Sequence, residues 1–171
     1  AYAAFQAILE PAAHVLIPDD CYHGIRSLLS QVYQGWQINA EGVDRSVLSN
    51  VADAIRPETK LIWIETPTNP KLKIFDIQAI AKLGAEKGII VACDNTWATP
   101  FFFFFFELGC DLVMHSTTKY FGGHSDILGG ALILKEEGAL GARLRSIQSA
   151  GGGVPSPFDC WLLNRSLATF P

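Results

Sequence analysis

Leu112-Val113-Met114-His115-Ser116-Thr117-Thr118-Lys119-Tyr120-Phe121-Gly122-Gly123-His124-Ser125-Asp126 is the stretch on which the fold turns. It opens on a short apolar run, Leu112 to Met114, the pattern of a buried strand. It continues as hydroxyl residues, a lysine and a glycine pair, so Lys119 stands just beyond a strand end. Ser116 and Thr118 alternate with Thr117, and on an extended segment they point the same way. An amine set among small donors suits a carbonyl cofactor that carries a phosphate. A Schiff-base lysine needs a lowered pKa, which partial burial supplies. A single lysine on a loop is more often simply solvated, but three further segments change that balance.

Val91-Ala92-Cys93-Asp94-Asn95-Thr96 reads as a β-branched strand that closes on an acid. In open parallel sheets ligands collect at the carboxyl ends of strands, and a carboxylate there can pair with a pyridinium nitrogen and keep the ring electron-accepting. Taken alone, one Asp at a strand end is as often a turn residue. Leu61-Ile62-Trp63-Ile64-Glu65-Thr66-Pro67-Thr68-Asn69-Pro70 is a second buried strand running into a loop bracketed by prolines. Pro67 and Pro70 restrict that backbone, so Asn69 is held where it can hydrogen-bond a ring hydroxyl. Pro18-Asp19-Asp20-Cys21-Tyr22-His23-Gly24 follows the strand Val15 to Ile17. Tyr22 can lie flat on an aromatic cofactor, although a tyrosine at a strand end is more often packing.

Strand and helix patterns alternate along the whole chain, which predicts an α/β fold with a mostly parallel sheet and helices on both faces. Helices are expected over 1–9, 25–33, 46–55, 77–87, 138–148 and 158–168. Strands are expected over 15–17, 36–39, from 61, 89–93, 112–115 and 131–134. Gly88 is placed to stop the fourth helix region, and 150–157 is a loop rich in glycine and proline.

A chain of 171 residues can bury a real core, and one domain is the natural count. A net charge of −4 without a basic cluster argues against a nucleic-acid partner. Cys21, Cys93, Cys110 and Cys160 are scattered, which fits reduced thiols in a cytoplasmic setting. His14, His23, His115 and His124 show no metal-ligand spacing. No apolar run is long enough to span a bilayer. Nucleotide binding is disfavoured, because the chain lacks a Gly-x-Gly-x-x-Gly turn after a strand and a Gly-Lys-Ser/Thr loop.

These four segments, in this order, resemble the pyridoxal-phosphate enzymes of cysteine and methionine metabolism: cystathionine γ-synthase, the cystathionine lyases, methionine γ-lyase and the O-acylhomoserine sulfhydrylases. The likeness extends through Pro155-Ser156-Pro157-Phe158-Asp159. It implies the large cofactor-binding domain of a fold-type I, aspartate aminotransferase-like enzyme, over 1–171, with pyridoxal 5'-phosphate as cofactor. By resemblance Lys119 matches the Schiff-base lysine and Asp94 the pyridinium partner. Ser116 and Thr118 match phosphate-binding residues, Tyr22 the residue stacked on the ring, and Asn69 the residue near the ring hydroxyl. The implied activity is transsulfuration at the β or γ carbon of a small amino-acid substrate. The implied assembly is a homo-oligomer, a dimer of dimers. The resemblance also implies a fragment, without the family's amino-terminal arm and carboxyl-terminal domain. A non-catalytic cofactor-binding or oligomerisation piece of such an enzyme is the alternative.

One segment departs from the family. Phe101 to Phe106 is six phenylalanines in a row, where relatives carry mixed, partly polar sequence. On a helix such a run presents rings on every face. An interface patch and an artefact of the sequence account for it equally well.

Overall fold

Apolar side chains alternate along the central strands, and the alternation divides the core in two. The computed structural model describes residues 1–170. Val15 and Ile17, Leu61 and Trp63, Ala92, and Leu112 and Met114 face one side, packed against Phe5, Leu9, Ile25 and Leu29. Leu16, Ile62 and Ile64, Val91 and Cys93, and Val113 face the other, packed against Val51, Ile77, Ile80 and Ala81. Strands covered on both faces are apolar at every position, which is why these segments read as continuous runs rather than alternating ones.

The strands are β1 (His14–Pro18), β2 (Asn39–Val43), β3 (Thr59–Glu65), β4 (Ile90–Asp94), β5 (Leu112–Ser116) and β6 (Gly130–Leu134). They form one sheet in the order β2-β1-β3-β4-β5-β6. All pairs are parallel except β5 with β6. The helices are α1 (Tyr2–Ile8), α2 (His23–Ser27), α3 (Leu48–Ala54), α4 (Ile77–Lys87), α5 (Thr99–Phe102), α6 (Ala139–Gly151) and α7 (Pro157–Leu167). The chain steps one way from β1 to β2, then returns past β1 and advances through β3, β4 and β5. With right-handed crossovers that reversal sends α2 to one face and α3 and α4 to the other, as their core partners show. It also opens a crevice between the carboxyl ends of β1 and β3, where open α/β sheets bind ligands.

Helix α4 shows how local sequence fixes an element. The Asp76 side chain caps its start by accepting from the Ala79 N–H, and Gly88 ends it at φ 67°. Gly84 lies directly on the sheet: a Cβ there would come within 2.3 Å of Val91 Cγ2.

The structure corrects two of the elements expected from the sequence. The strand expected over 36–39 is instead a single 3-10 turn, Gln34–Trp36, closed by Gln37 at φ 56°. The strand begins at Asn39. As the sheet edge it is largely exposed and polar, Asn39-Ala40-Glu41-Gly42-Val43, so it carries no apolar signal, and the Trp36 ring packs edge-on to Tyr33. The helix expected over 25–33 begins earlier, at His23, and passes into a π turn over Leu28–Val32. The phenylalanine run is helical only at its first two residues: Phe105 is buried, Phe103 and Phe106 lean on the core, and Phe101, Phe102 and Phe104 stand exposed.

Replacing Gly84 with alanine sets a helix-propensity gain of ~1 kcal/mol against an overpacking cost of ~1–3 kcal/mol. The 2.3 Å approach places the cost at its upper end. Gly84→Ala should therefore lower stability by about 1–2 kcal/mol, read as a lower urea midpoint at unchanged slope.

Candidate functional site

Three neighbouring strands finish on polar residues: β3 on Glu65, β4 on Asp94 and β5 on Ser116. Each lies two residues beyond a side chain on the α1 and α2 face, Trp63, Ala92 and Met114 respectively. The period of two along a strand brings all three out on that face. Glu65 and Asp94 are register partners on adjacent strands. A cleft of about 1520 Å³ opens at these ends. Tyr22, Asn69, Asp94, Ser116, Thr118 and Lys119, the six residues singled out from the sequence, all line it.

Asp94 is nearly enclosed, and one carboxylate oxygen accepts the Thr96 N–H at 3.0 Å. Burial raises its carboxyl pKa from the ordinary range, with the Thr96 bonds opposing. A buried carboxylate of this kind is suited to pair with a cationic or protonated group presented in the cleft.

Lys119 sits in a turn built by the glycine pair. Gly122 donates to the Thr117 carbonyl at 2.8 Å and Gly123 to the Lys119 carbonyl at 2.7 Å. A Cβ on Gly122 would lie 2.7 Å from the Thr117 oxygen, and Gly123 has φ 70°. The expected partial burial of Lys119 is not seen: the side chain is exposed, because its turn projects past the end of β5 into the open cleft. The far end of the turn is tied to α7. The His124 ring bonds Ser166 Oγ at 3.2 Å, and Arg165 pairs with Asp126 at 2.6 Å. Phe121 also stacks on Phe170 with ring centres 4.7 Å apart.

Ser116 and Thr118 flank the buried Thr117 and both reach the cleft. The Ser116 N–H is engaged by Thr96 Oγ1 at 2.8 Å, and Thr118 Oγ1 accepts the Gly129 N–H at 3.0 Å. Across the cleft the Tyr22 ring lies over Gly24, where a Cβ would fall 2.6 Å from Tyr22 Cε1.

Glu65 was assigned no role from the sequence, yet it organises this side of the site. It is 3% exposed. Its Oε2 accepts the Tyr22 N–H at 2.9 Å and its Oε1 the Asn69 N–H at 2.7 Å. The available signal was an acid closing a wholly apolar strand, the same signal that drew attention to Asp94. Burial, reinforced by the neighbouring Asp94 charge, pushes the Glu65 carboxyl up to about 7.

The donor set fits pyridoxal 5'-phosphate: an accessible amine for its aldehyde, a buried carboxylate for its ring nitrogen, an exposed aromatic face and small hydroxyl residues for its phosphate. The comparisons with known proteins agree. The model of the family "Cys/Met metabolism PLP-dependent enzyme" matches residues 1–171. The chain belongs to this family. Cystathionine gamma-synthase of Mycobacterium tuberculosis is 47% identical over 166 residues, covering 97% of this chain and 42% of that protein. Cystathionine gamma-lyase of Bacillus subtilis is 42% identical over 169 residues, covering 99% and 44%. The crystal structure of metB from Corynebacterium glutamicum superposes with a TM-score of 0.93 at 41% identity, covering 99% of this chain and 44% of the other. The chain thus spans less than half the length of these members of the family.

The raised Glu65 carboxyl means that folding favours its protonated form. Its stabilising contribution is full below the ordinary 4.5 and is lost as pH rises through about 7. Between those limits the unchanged chain should lose on the order of 3 kcal/mol relative to Glu65→Gln. Urea midpoints of the two proteins across that range check the slope.

Proposed function

We propose that this chain is the cofactor-binding portion of a transsulfuration enzyme that acts at the β or γ carbon of a sulfur amino acid or an O-acylhomoserine. The convergence of Lys119, Asp94 and Tyr22 on one cleft is the observation that carries this. When bound, pyridoxal 5'-phosphate supplies an aldehyde for covalent capture and a ring that accepts electron density from the reacting carbon. Lys119 Nζ is the group that would hold the aldehyde and could move a proton at the substrate carbons. Asp94, buried at the end of β4, would hold the proton on the ring nitrogen. Ser116 and Thr118 receive the phosphate, Tyr22 covers the ring face and Asn69 bonds the ring hydroxyl.

Several finer points belong to the same proposal. Exposed Trp97, Phe101, Phe102 and Phe104 support a homo-oligomer, since rings so placed gain from a covering subunit. Three buried thiols and one exposed thiol, none paired among the described residues, support a reducing, cytoplasmic setting. No helix among the described residues is long and apolar enough to cross a membrane.

The test of the cofactor assignment is chemical. Pyridoxal 5'-phosphate added to the chain should give a yellow adduct that borohydride fixes on Lys119, and Lys119→Ala should abolish it. A fixed cofactor mapped to Lys135 or another lysine would overturn the assignment.

A second expectation concerns turnover. Among the described residues Lys119 is the one cationic side chain lining the cleft, beside Glu65, Asp94, Asp126 and Asp159. An amino-acid carboxylate has no cation of its own to grip there, and lost orientation costs up to several kcal/mol of barrier. The chain should bind cofactor yet turn over cystathionine, methionine, or O-succinylhomoserine plus cysteine at least about tenfold more slowly than a full-length relative. Keto acid, ammonia and cystathionine formation measure it. This contrast also favours the second reading, a cofactor-binding piece that is not catalytic alone.

A further inference from the structure

The crevice between β1 and β3 is where the chain reverses its direction across the sheet, and Glu65 stands in it with contacts to both sides. One carboxylate oxygen takes the Tyr22 N–H from the segment after β1, at 2.9 Å. The other takes the Asn69 N–H from the segment after β3, at 2.7 Å. Those two segments are 43 and 4 residues from Glu65 in sequence, so no local turn ties them together. A carboxylate is the side chain suited to the task, because it offers two equivalent acceptors and no donor. An amide of the same shape offers one acceptor and must turn an N–H₂ toward one of the two N–H groups.

Apart from those two N–H groups, the packing offers nothing that favours an acid here. Glu65 ends a strand whose residues Leu61 to Ile64 are fully buried and apolar, and its nearest acidic neighbours, Asp94 and Asp20, repel an anion. An acid buried beside two other carboxyl groups is retained at a cost to stability once it ionises, which points to the groups that it orients. Both of those groups face the cleft.

We infer that Glu65 is the positioning residue of the cofactor cleft, bridging the switch crevice so that the Tyr22 ring and the Asn69 side chain are presented together. The inference rests on the proposed cofactor reading and deepens it. Glu65 acts through backbone N–H groups and touches neither cofactor nor substrate in this role.

The experiment uses the chain with pyridoxal 5'-phosphate as probe, following affinity by visible absorbance and ring asymmetry by the visible circular dichroism of the bound cofactor. At about pH 8.5, above the point where Glu65 loses its proton, Glu65→Gln should weaken affinity about tenfold, as expected for one hydrogen-bonded contact to a charged acceptor lost. It should also diminish the visible dichroism while borohydride still fixes the cofactor on Lys119 at saturation. In a Tyr22→Ala, Asn69→Ala background the same change should cost no more than about twofold, because the groups it positions are gone. A purely structural role predicts equal losses in both backgrounds, and that result would overturn the inference. So would unchanged affinity and dichroism in Glu65→Gln beside a normal Lys119 adduct, an outcome that leaves the functional reading standing. If the unchanged chain gives no Lys119 adduct, the functional reading fails and the inference falls with it. Should Glu65→Gln fail to fold, Glu65→Asp replaces it: the charge remains but one methylene fewer cannot span both N–H groups. A folded Glu65→Asp chain with unweakened binding overturns the inference.

Discussion

Burial on both faces is the constraint on which the rest of this molecule depends. Between residues 61 and 64 of β3, and along most of β1, β4 and β5, no side chain can be polar without losing its water. An unpartnered polar group there costs roughly 1–3 kcal/mol, and a bare charge more. Chemistry is therefore expelled to the strand ends. Parallel pairing then sets those ends side by side: Glu65 opposite Asp94, with Ser116 two residues past Met114, the β5 partner of Asp94. The cleft is the place where the sheet stops being apolar.

The same constraint explains which parts were legible in the sequence. The central strands announce themselves because both faces are covered, so Leu61-Ile62-Trp63-Ile64 and Ile90-Val91-Ala92-Cys93 have no polar interruptions. The six candidate residues could be named because they sit where those runs break. The edge strand could not, since one covered residue, Val43, is too little signal. A tertiary override bent the second helix into a π turn, where Leu29 and Tyr33 both reach the core. The exposure of Lys119 also had no local signature: it depends on how far a turn projects from the sheet, which is fixed by the Gly122 and Gly123 backbone and by α7 at a distance.

Glu65 was passed over for a different reason. Its partners are backbone N–H groups, and a sequence displays side chains alone. Asp94 and Glu65 close their strands in the same way and both line the cleft, yet Glu65 is spent on two backbone amides. Only the three-dimensional placement of Tyr22 and Asn69 separates the two roles.

The tie between the Lys119 turn and α7 carries a consequence for how the protein comes into being. Asp126 and Arg165 are 39 residues apart, and His124 and Ser166 are 42 apart. Chains are made from the amino end and fold as they emerge. The sheet grows in step with synthesis, since β3, β4, β5 and β6 add one after another to the same edge. The lysine turn is completed early in that sequence, but its far end stays untethered until α7 has been made and has docked. Helix α7 thus acts as a latch on a site whose other parts are already in place, and the firm seating of Lys119 waits for it to dock.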